Sequence, residues 1–89
     1  LIGDPAVLVL IKFLSDGEKR YKEVQEYLSQ GVSDATLCAR LKKLEREGVI
    51  ERKKYNEIPP RVMYNLTEKG QALTKVVASI EQFAQEYYE

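Results

Sequence analysis

The stretch KKYNEIPPRVMYNLTEKG, Lys53–Gly70, decides the fold. In its second half Val62, Tyr64 and Leu66 alternate with Arg61, Met63 and Asn65, which predicts a half-buried strand. Before that run, Pro59 and Pro60 have no N–H to donate and fix their own φ, and each pushes the preceding residue towards extended geometry. Adjacent prolines cannot stand inside a central strand, but they suit an exposed hairpin tip. Val49–Tyr55 then becomes the first arm of a hairpin, with Val49 and Ile50 anchored in the core. Beyond them Glu51, Arg52, Lys53 and Lys54 are too polar to be covered, so the hairpin is buried at its base and projects at its tip. Thr67 caps a last helix, Glu68–Tyr88, whose broad apolar face carries Leu73, Val76, Val77, Ile80, Phe83, Ala84, Tyr87 and Tyr88.

Upstream, Asp4-Pro5 opens a first helix as N-cap and first helical residue, and Gly17 stops it. Ala6–Ile11, Phe13 and Leu14 make it apolar nearly all round, so it must be covered on more than one side. Glu18–Arg20 reads as a short extended link. Tyr21–Ser29 carries Tyr21, Val24, Tyr27 and Leu28 at helical spacing, and Gly31 ends that second helix. Ser33 caps a third helix, Asp34–Glu47, with Leu37, Leu41 and Leu44 as its core stripe and Gly48 closing it. Two helices joined by a few residues that include glycine form a helix-turn-helix pattern, which is common and by itself implies no ligand. The predicted fold is mainly α with a small β-hairpin. It is a winged helix-turn-helix in one domain over residues 1–89, with a long C-terminal helix for dimerisation.

Composition narrows the function. A single cysteine and no histidine exclude an internal disulfide, a structural zinc site and the usual general base near neutral pH. No metal or cofactor is expected, and the lack of a glycine-rich phosphate loop or a nucleophile–base pair argues against an enzyme. The longest apolar run, Ala6–Ile11, is far shorter than the ~18 residues of a membrane span. With no basic leader either, a cytoplasmic protein is expected. The net charge is zero, but it is unevenly spread. Leu1–Ala35 sums to −2, Thr36–Arg61 to +4 and Val62–Glu89 to −2, which is the footprint that local phosphate binding would leave.

The basic segment holds the third helix. Opposite its leucine stripe lie Ala35, Ala39, Lys42 and Arg46, with Thr36 and Lys43 to one side and Cys38 to the other; Arg40 sits nearer the core edge. The N-terminal half presents small residues and the C-terminal half presents cations. In a DNA-reading helix the former meet base edges and the latter phosphates, so Ala35, Ala39 and the Thr36 methyl are candidates for thymine methyls. Cys38 reads as a partly buried packing residue rather than a redox switch.

Particular motifs carry a family resemblance. Arg20-Tyr21-Lys22-Glu23-Val24 is similar to the "RF-x-E-L" opening of the second helix in HxlR-type regulators. Leu37, Arg40-Leu41 and Leu44-Glu45 before Gly48-Val49-Ile50-Glu51-Arg52 resemble their recognition helix and first wing strand. Pro59–Gly70 is similar to the family's "PPRVEYSLTEKG" at nearly every position. The resemblance runs from Pro5 to about Ala84 and points to the HxlR branch of the MarR-like group. Two features depart from the family pattern. No cysteine stands ahead of the first helix, and Pro5-Ala6 replaces the usual Lys-Trp pair.

The resemblance implies a homodimeric transcriptional regulator of double-stranded DNA. Lys53, Lys54 and Arg61 would be the wing's cations, and stiff prolines at the tip would limit the entropy lost on docking. Arg20 and Ser33, at the starts of the second and third helices, complete the candidate DNA contacts with Ala35, Thr36, Ala39, Arg40, Lys42 and Lys43. Val7 and Leu10 on the first helix (4–16) and Val76, Ile80, Phe83 and Tyr87 on the last (68–88) are the candidate dimer contacts. A winged helix that binds another protein without DNA specificity is the competing reading, and zero net charge speaks for it. No effector ligand is legible.

Overall fold

In a computed structural model, residues 5–28 and 31–88 are described. The elements are α1 (Pro5–Leu14), β1 (Lys19–Arg20), α2 (Tyr21–Tyr27), α3 (Asp34–Arg46), β2 (Ile50–Tyr55), β3 (Arg61–Leu66) and α4 (Glu68–Tyr88). Asp4, expected to cap α1, and Ser29, expected to end α2, lie outside the described residues. The architecture is the expected winged helix-turn-helix, with one addition. Lys19 and Arg20 pair antiparallel with Tyr64 and Met63, so the wing hairpin becomes a three-stranded sheet in the order β1-β3-β2. β3 is therefore central. Pro59 and Pro60 stay in the β2–β3 connection, outside every ladder.

That third strand explains a correction. Met63 was expected on the uncovered side of a half-buried strand, yet it is only 7% exposed. Its register partners are Arg20 on β1 and Lys53 on β2. Long side chains on both neighbouring strands can lay their aliphatic stems over a methionine while keeping their charges in water.

The helices cover the other face of the sheet. Val7, Leu10, Ile11 and Leu14 from α1 pack with Val24 and Leu28, with Leu37, Leu41 and Leu44 of α3, and with Val49, Ile50, Tyr64, Leu66 and Val77. Val7 and Leu10, expected at a dimer interface, are 2% and 0% exposed in the chain's own core. A helix with four core residues in ten must spend its most inward positions on its own chain. What α1 leaves outside is Val9, 38% exposed, beside the half-buried Leu8.

Local chemistry fixes both ends of α3. At its start the Ser33 hydroxyl oxygen accepts from the Thr36 N–H (3.2 Å). At its end Gly48 adopts φ +74°, and the Gly48 and Val49 N–H groups donate back to the Glu45 and Leu44 carbonyls (3.1 and 2.9 Å). This is a Schellman closure, and only glycine takes that backbone without strain. Thr67-Glu68-Lys69-Gly70 then locks α4 onto the same corner. The Thr67 N–H donates to the Val49 carbonyl (3.0 Å), its hydroxyl also reaches the Gly48 carbonyl, and it accepts from the Gly70 N–H (3.1 Å). Lys69 Nζ donates to the Glu47 carbonyl at the end of α3 (2.8 Å), where the helix dipole favours a cation. A Cβ at position 70 would lie 2.2 Å from the Val49 carbonyl oxygen, so the approach requires glycine.

The far part of α4 has no such cover. Val77 is its last buried residue, and everything from Ala78 to Tyr88 is exposed. Among the described residues no helix is long and apolar enough to cross a membrane.

Candidate nucleic-acid interface

Helix α3 presents its expected outward face. Ser33, Ala35, Ala39, Lys42, Lys43 and Arg46 are exposed, and Thr36 and Arg40 are half-buried. The Ser33 hydroxyl donates to Thr36 Oγ1 (3.0 Å) while accepting the Thr36 N–H, so the Thr36 hydroxyl keeps its own proton for another acceptor. Ala39, Lys42, Glu45 and Arg46 line a shallow depression along the helix. Small side chains thus sit towards the N-terminus and cations towards the C-terminus, the polarity that the sequence implied.

Helix α2 braces the flank of α3. Asp34 Oδ1 accepts from Tyr21 Oη (3.2 Å) and from Gln25 Nε2 (2.6 Å), and Tyr21 Oη lies 3.3 Å from Cys38 Sγ. The hydrogen bond to Cys38, then burial, then Asp34 hold the Tyr21 phenol well above its ordinary range. Cys38 is exposed, which corrects its expected role as a partly buried packing residue. The cause is its position at the open edge of the α2–α3 contact, where a hydroxyl rather than the leucine stripe meets the thiol.

The wing divides the expected cations into two groups. Period-two alternation from the buried Ile50 puts Arg52 and Lys54 on the helix side of the sheet, opposite Tyr64 and Val62. Lys53, Arg61 and Arg20 belong to the outer side. There Lys53 pairs with Glu51 (3.4 Å), and Arg61 lies between Glu57 (3.1 Å) and the Tyr55 ring (4.3 Å). Tyr55 in turn donates to Glu18 (3.0 Å), and that hydrogen bond raises its pKa. Lys53 and Arg61 are therefore each held by a carboxylate of the hairpin itself, which splints it. Arg52 and Lys54 have no carboxylate partner among the described residues and share the helix side with α3. Arg52 was missed as a candidate, although its spacing of two from Ile50 was the available signal.

Along α4 and the outer edge of α1, Val9, Val76, Ile80, Phe83, Tyr87 and Tyr88 are 38–79% exposed. Phe83 rests against Tyr87 and Tyr88, with ring centroids at 4.8 and 6.1 Å, and Lys12 pairs with Glu81 (2.7 Å) to tie α1 to α4. The resulting apolar strip leaves uncovered most of the residues expected to meet a second copy.

Comparison with known proteins agrees with this geometry. The family described as HxlR-like helix-turn-helix matches residues 1–89. The HTH-type transcriptional regulator YodB of Bacillus subtilis is 40% identical over 81 residues, covering 91% of this chain and 71% of that protein. The solved structure of reduced B. subtilis YodB superimposes with a TM-score of 0.91 at 38% identity, covering 99% of this chain and 85% of that one. A Porphyromonas gingivalis structure assigned to the MarR family of transcriptional regulators gives a TM-score of 0.83 at 31% identity, covering 97% and 83% of the two chains.

Proposed function

The chain belongs to the HxlR-like helix-turn-helix family, and from that premise we propose that it is a dimeric transcriptional regulator that reads specific sequences in double-stranded DNA. One observation carries the reading. The outward face of α3 grades from Ser33, Ala35, Thr36 and Ala39 to Lys42, Lys43 and Arg46, with Arg52 and Lys54, which meet no carboxylate among the described residues, on the helix side of the wing. Small residues let the helix backbone approach base edges in the major groove, and the cations anchor it to phosphates. Arg61 and Lys53 act on the wing itself, through their carboxylate partners, while Lys54 and Arg52 meet the DNA backbone. Two copies joined through α4 and the outer edge of α1 place two α3 helices on half-sites about 10 base pairs apart, or a multiple of that. The protein works in the cytoplasm, where the DNA is, and performs no chemistry on it.

The test is binding to random duplex DNA at low salt, followed by selection of a preferred duplex from a randomised pool. Ala39→Glu should abolish selection while leaving the circular dichroism unchanged, because it sets a carboxylate against the groove. Retained selection by that variant would mean that α3 does not enter DNA. No affinity of the unaltered protein for random duplex would favour the protein-interaction reading, which zero net charge supports.

A further inference from the structure

Helices α2 and α3 meet through two kinds of contact. Val24 and Leu28 share the core cluster with Leu37 and Leu41, and such aliphatic packing is non-directional. It resists separation of the helices but only weakly resists a roll of α3 about its own axis. Directional contacts come from four side chains in a two-by-two arrangement. Tyr21 and Gln25 are four residues apart on one helix, and Asp34 and Cys38 are four apart on the other, so each pair shares a face.

The hydrogen bonds converge on two atoms, Asp34 Oδ1 and Tyr21 Oη. Gln25 Nε2 and Tyr21 Oη both donate to Asp34 Oδ1. The same hydroxyl lies 3.3 Å from Cys38 Sγ, where either atom can be the donor. Tyr21 thus links Cys38 to Asp34, and Gln25 closes the set from the other side of the carboxylate. Tyr21 is its keystone because it alone touches both α3 residues.

We propose that this clasp is a specificity device: Tyr21, with Gln25, is a positioning residue that sets the roll of α3 and so aims Ala35, Thr36 and Ala39 at the bases. The inference rests on the DNA-reading function proposed above. Helical geometry gives its scale. With side chains reaching about 5–6 Å from the axis, a roll of about 20° displaces a contact atom by about 2 Å. That exceeds the tolerance of a hydrogen bond or a methyl contact to a base edge. Phosphate contacts by flexible lysines and arginines absorb such a shift, so the clasp governs sequence discrimination far more than affinity for DNA in general. It also holds the Asp34 carboxylate against α2. Released, that charge would be free to swing towards the phosphates.

Tyr21→Phe removes the hydroxyl and keeps the ring. Two measurements on this variant separate the possibilities: the orientation of α3 relative to α1 and α4 from backbone residual dipolar couplings, and binding to a duplex selected by the unaltered protein against a random duplex. The expected result is a reoriented α3, with the ratio of selected to random affinity falling by about tenfold, the size of one lost base contact. Affinity for random duplex should stay within about twofold and the salt slope should not change. An unchanged α3 orientation would overturn the clasp whatever the DNA result. A reoriented α3 with an intact affinity ratio would overturn its role in specificity. A reoriented α3 in a protein whose unaltered form ignores DNA would sink the DNA-reading function and leave the mechanical clasp standing. If Tyr21→Phe fails to fold, Gln25→Met, which keeps the length and removes the donor, takes its place under the same criteria.

Discussion

The sharpest prediction concerns the strip along α4. Ile80 and Phe83 are 46% and 54% exposed, so their own chain covers only about half of each. Full burial of such a side chain is worth roughly 1.5–3 kcal/mol, which leaves about 1 kcal/mol per side chain for a partner to supply. Two side chains on each of two copies make about 4 kcal/mol, so Ile80→Asp with Phe83→Asp should raise the dimer dissociation constant by at least about a thousandfold. The figure is a lower bound, because the variant also places carboxylates where the partner would exclude water. The area is consistent. With aromatic side chains offering 150–250 Å² each, Val9, Val76, Ile80, Phe83, Tyr87 and Tyr88 expose on the order of 700 Å² per copy. Stable interfaces cover about 800 Å² per partner. Sedimentation equilibrium at micromolar concentration should give a dimer mass for the unaltered chain and a monomer mass for the double variant, with matching far-UV circular dichroism. DNA affinity should fall far more than for any single wing substitution, because one half-site is lost. A monomer mass for the unaltered chain at that concentration would refute the reasoning outright.

Three further outcomes follow from named contacts. Lys54→Ala should weaken binding to all duplexes alike and lower the magnitude of the log K against log [salt] slope by about one unit. Arg61→Ala should leave that slope nearly unchanged, and equal changes from the two would contradict the division of the wing. Gly70→Ala drives a Cβ into the Val49 carbonyl oxygen. Overpacking against backbone should cost about 3 kcal/mol, the top of the usual range, and lower the melting temperature by more than about 10 °C at fixed protein concentration. An unchanged melting temperature would remove the tight corner from the account. The Asn65 amide, then Lys53, holds the Glu51 carboxyl below its ordinary pKa. A folded-state pKa below the unfolded one gives stability that is present above the usual carboxylate range and lost as the pH falls through the folded value. Titration of the Glu51 carboxyl by NMR should therefore show a lowered midpoint that Asn65→Ala raises. Identical midpoints would remove the hydrogen bond from the explanation.

Much of the fold was legible because each element carries local punctuation that agrees with its apolar period. Ser33 and Gly48 bracket α3, Thr67 opens α4, and Pro59-Pro60 separates two runs of strand character. The β1 pairing was not legible, since two residues, Lys19 and Arg20, show no period at all and only the free edge of β3 recruits them. The burial of Met63 followed from that omission. For α1, periodicity could not separate residues held by the chain's own core from those left for a partner. When nearly every position is apolar, only the tertiary packing picks out Val7 and Leu10 against Val9. The outward face of α3 was readable, because a leucine stripe defines its own opposite. The wing was only half readable. Lys53, Lys54 and Arg61 look alike as charges, and what divides them is the side of the sheet each one takes and whether a carboxylate lies beside it.

The corner at Gly48, Thr67 and Gly70 ties these parts into one argument. Thr67 and Lys69 bond the start of α4 to the carbonyls that end α3 and open β2, and Gly70 admits the contact at backbone distance. Beside the Lys69 side chain, backbone meets backbone, so α4 cannot tilt without straining the closure of α3. In a dimer held by α4, the angle of that helix fixes where each α3 stands. The separation of the two reading heads is then a property of the corner rather than of the interface alone. The Tyr21 clasp fixes the remaining freedom, the roll of each head. A substitution at the corner that left the dimer intact should therefore change which half-site spacing is selected, while a substitution in the clasp should change which bases are. Selection from duplex pools with varied spacing distinguishes the two. A Lys69→Ala dimer with unaltered spacing preference would show that the interface sets the separation without the corner.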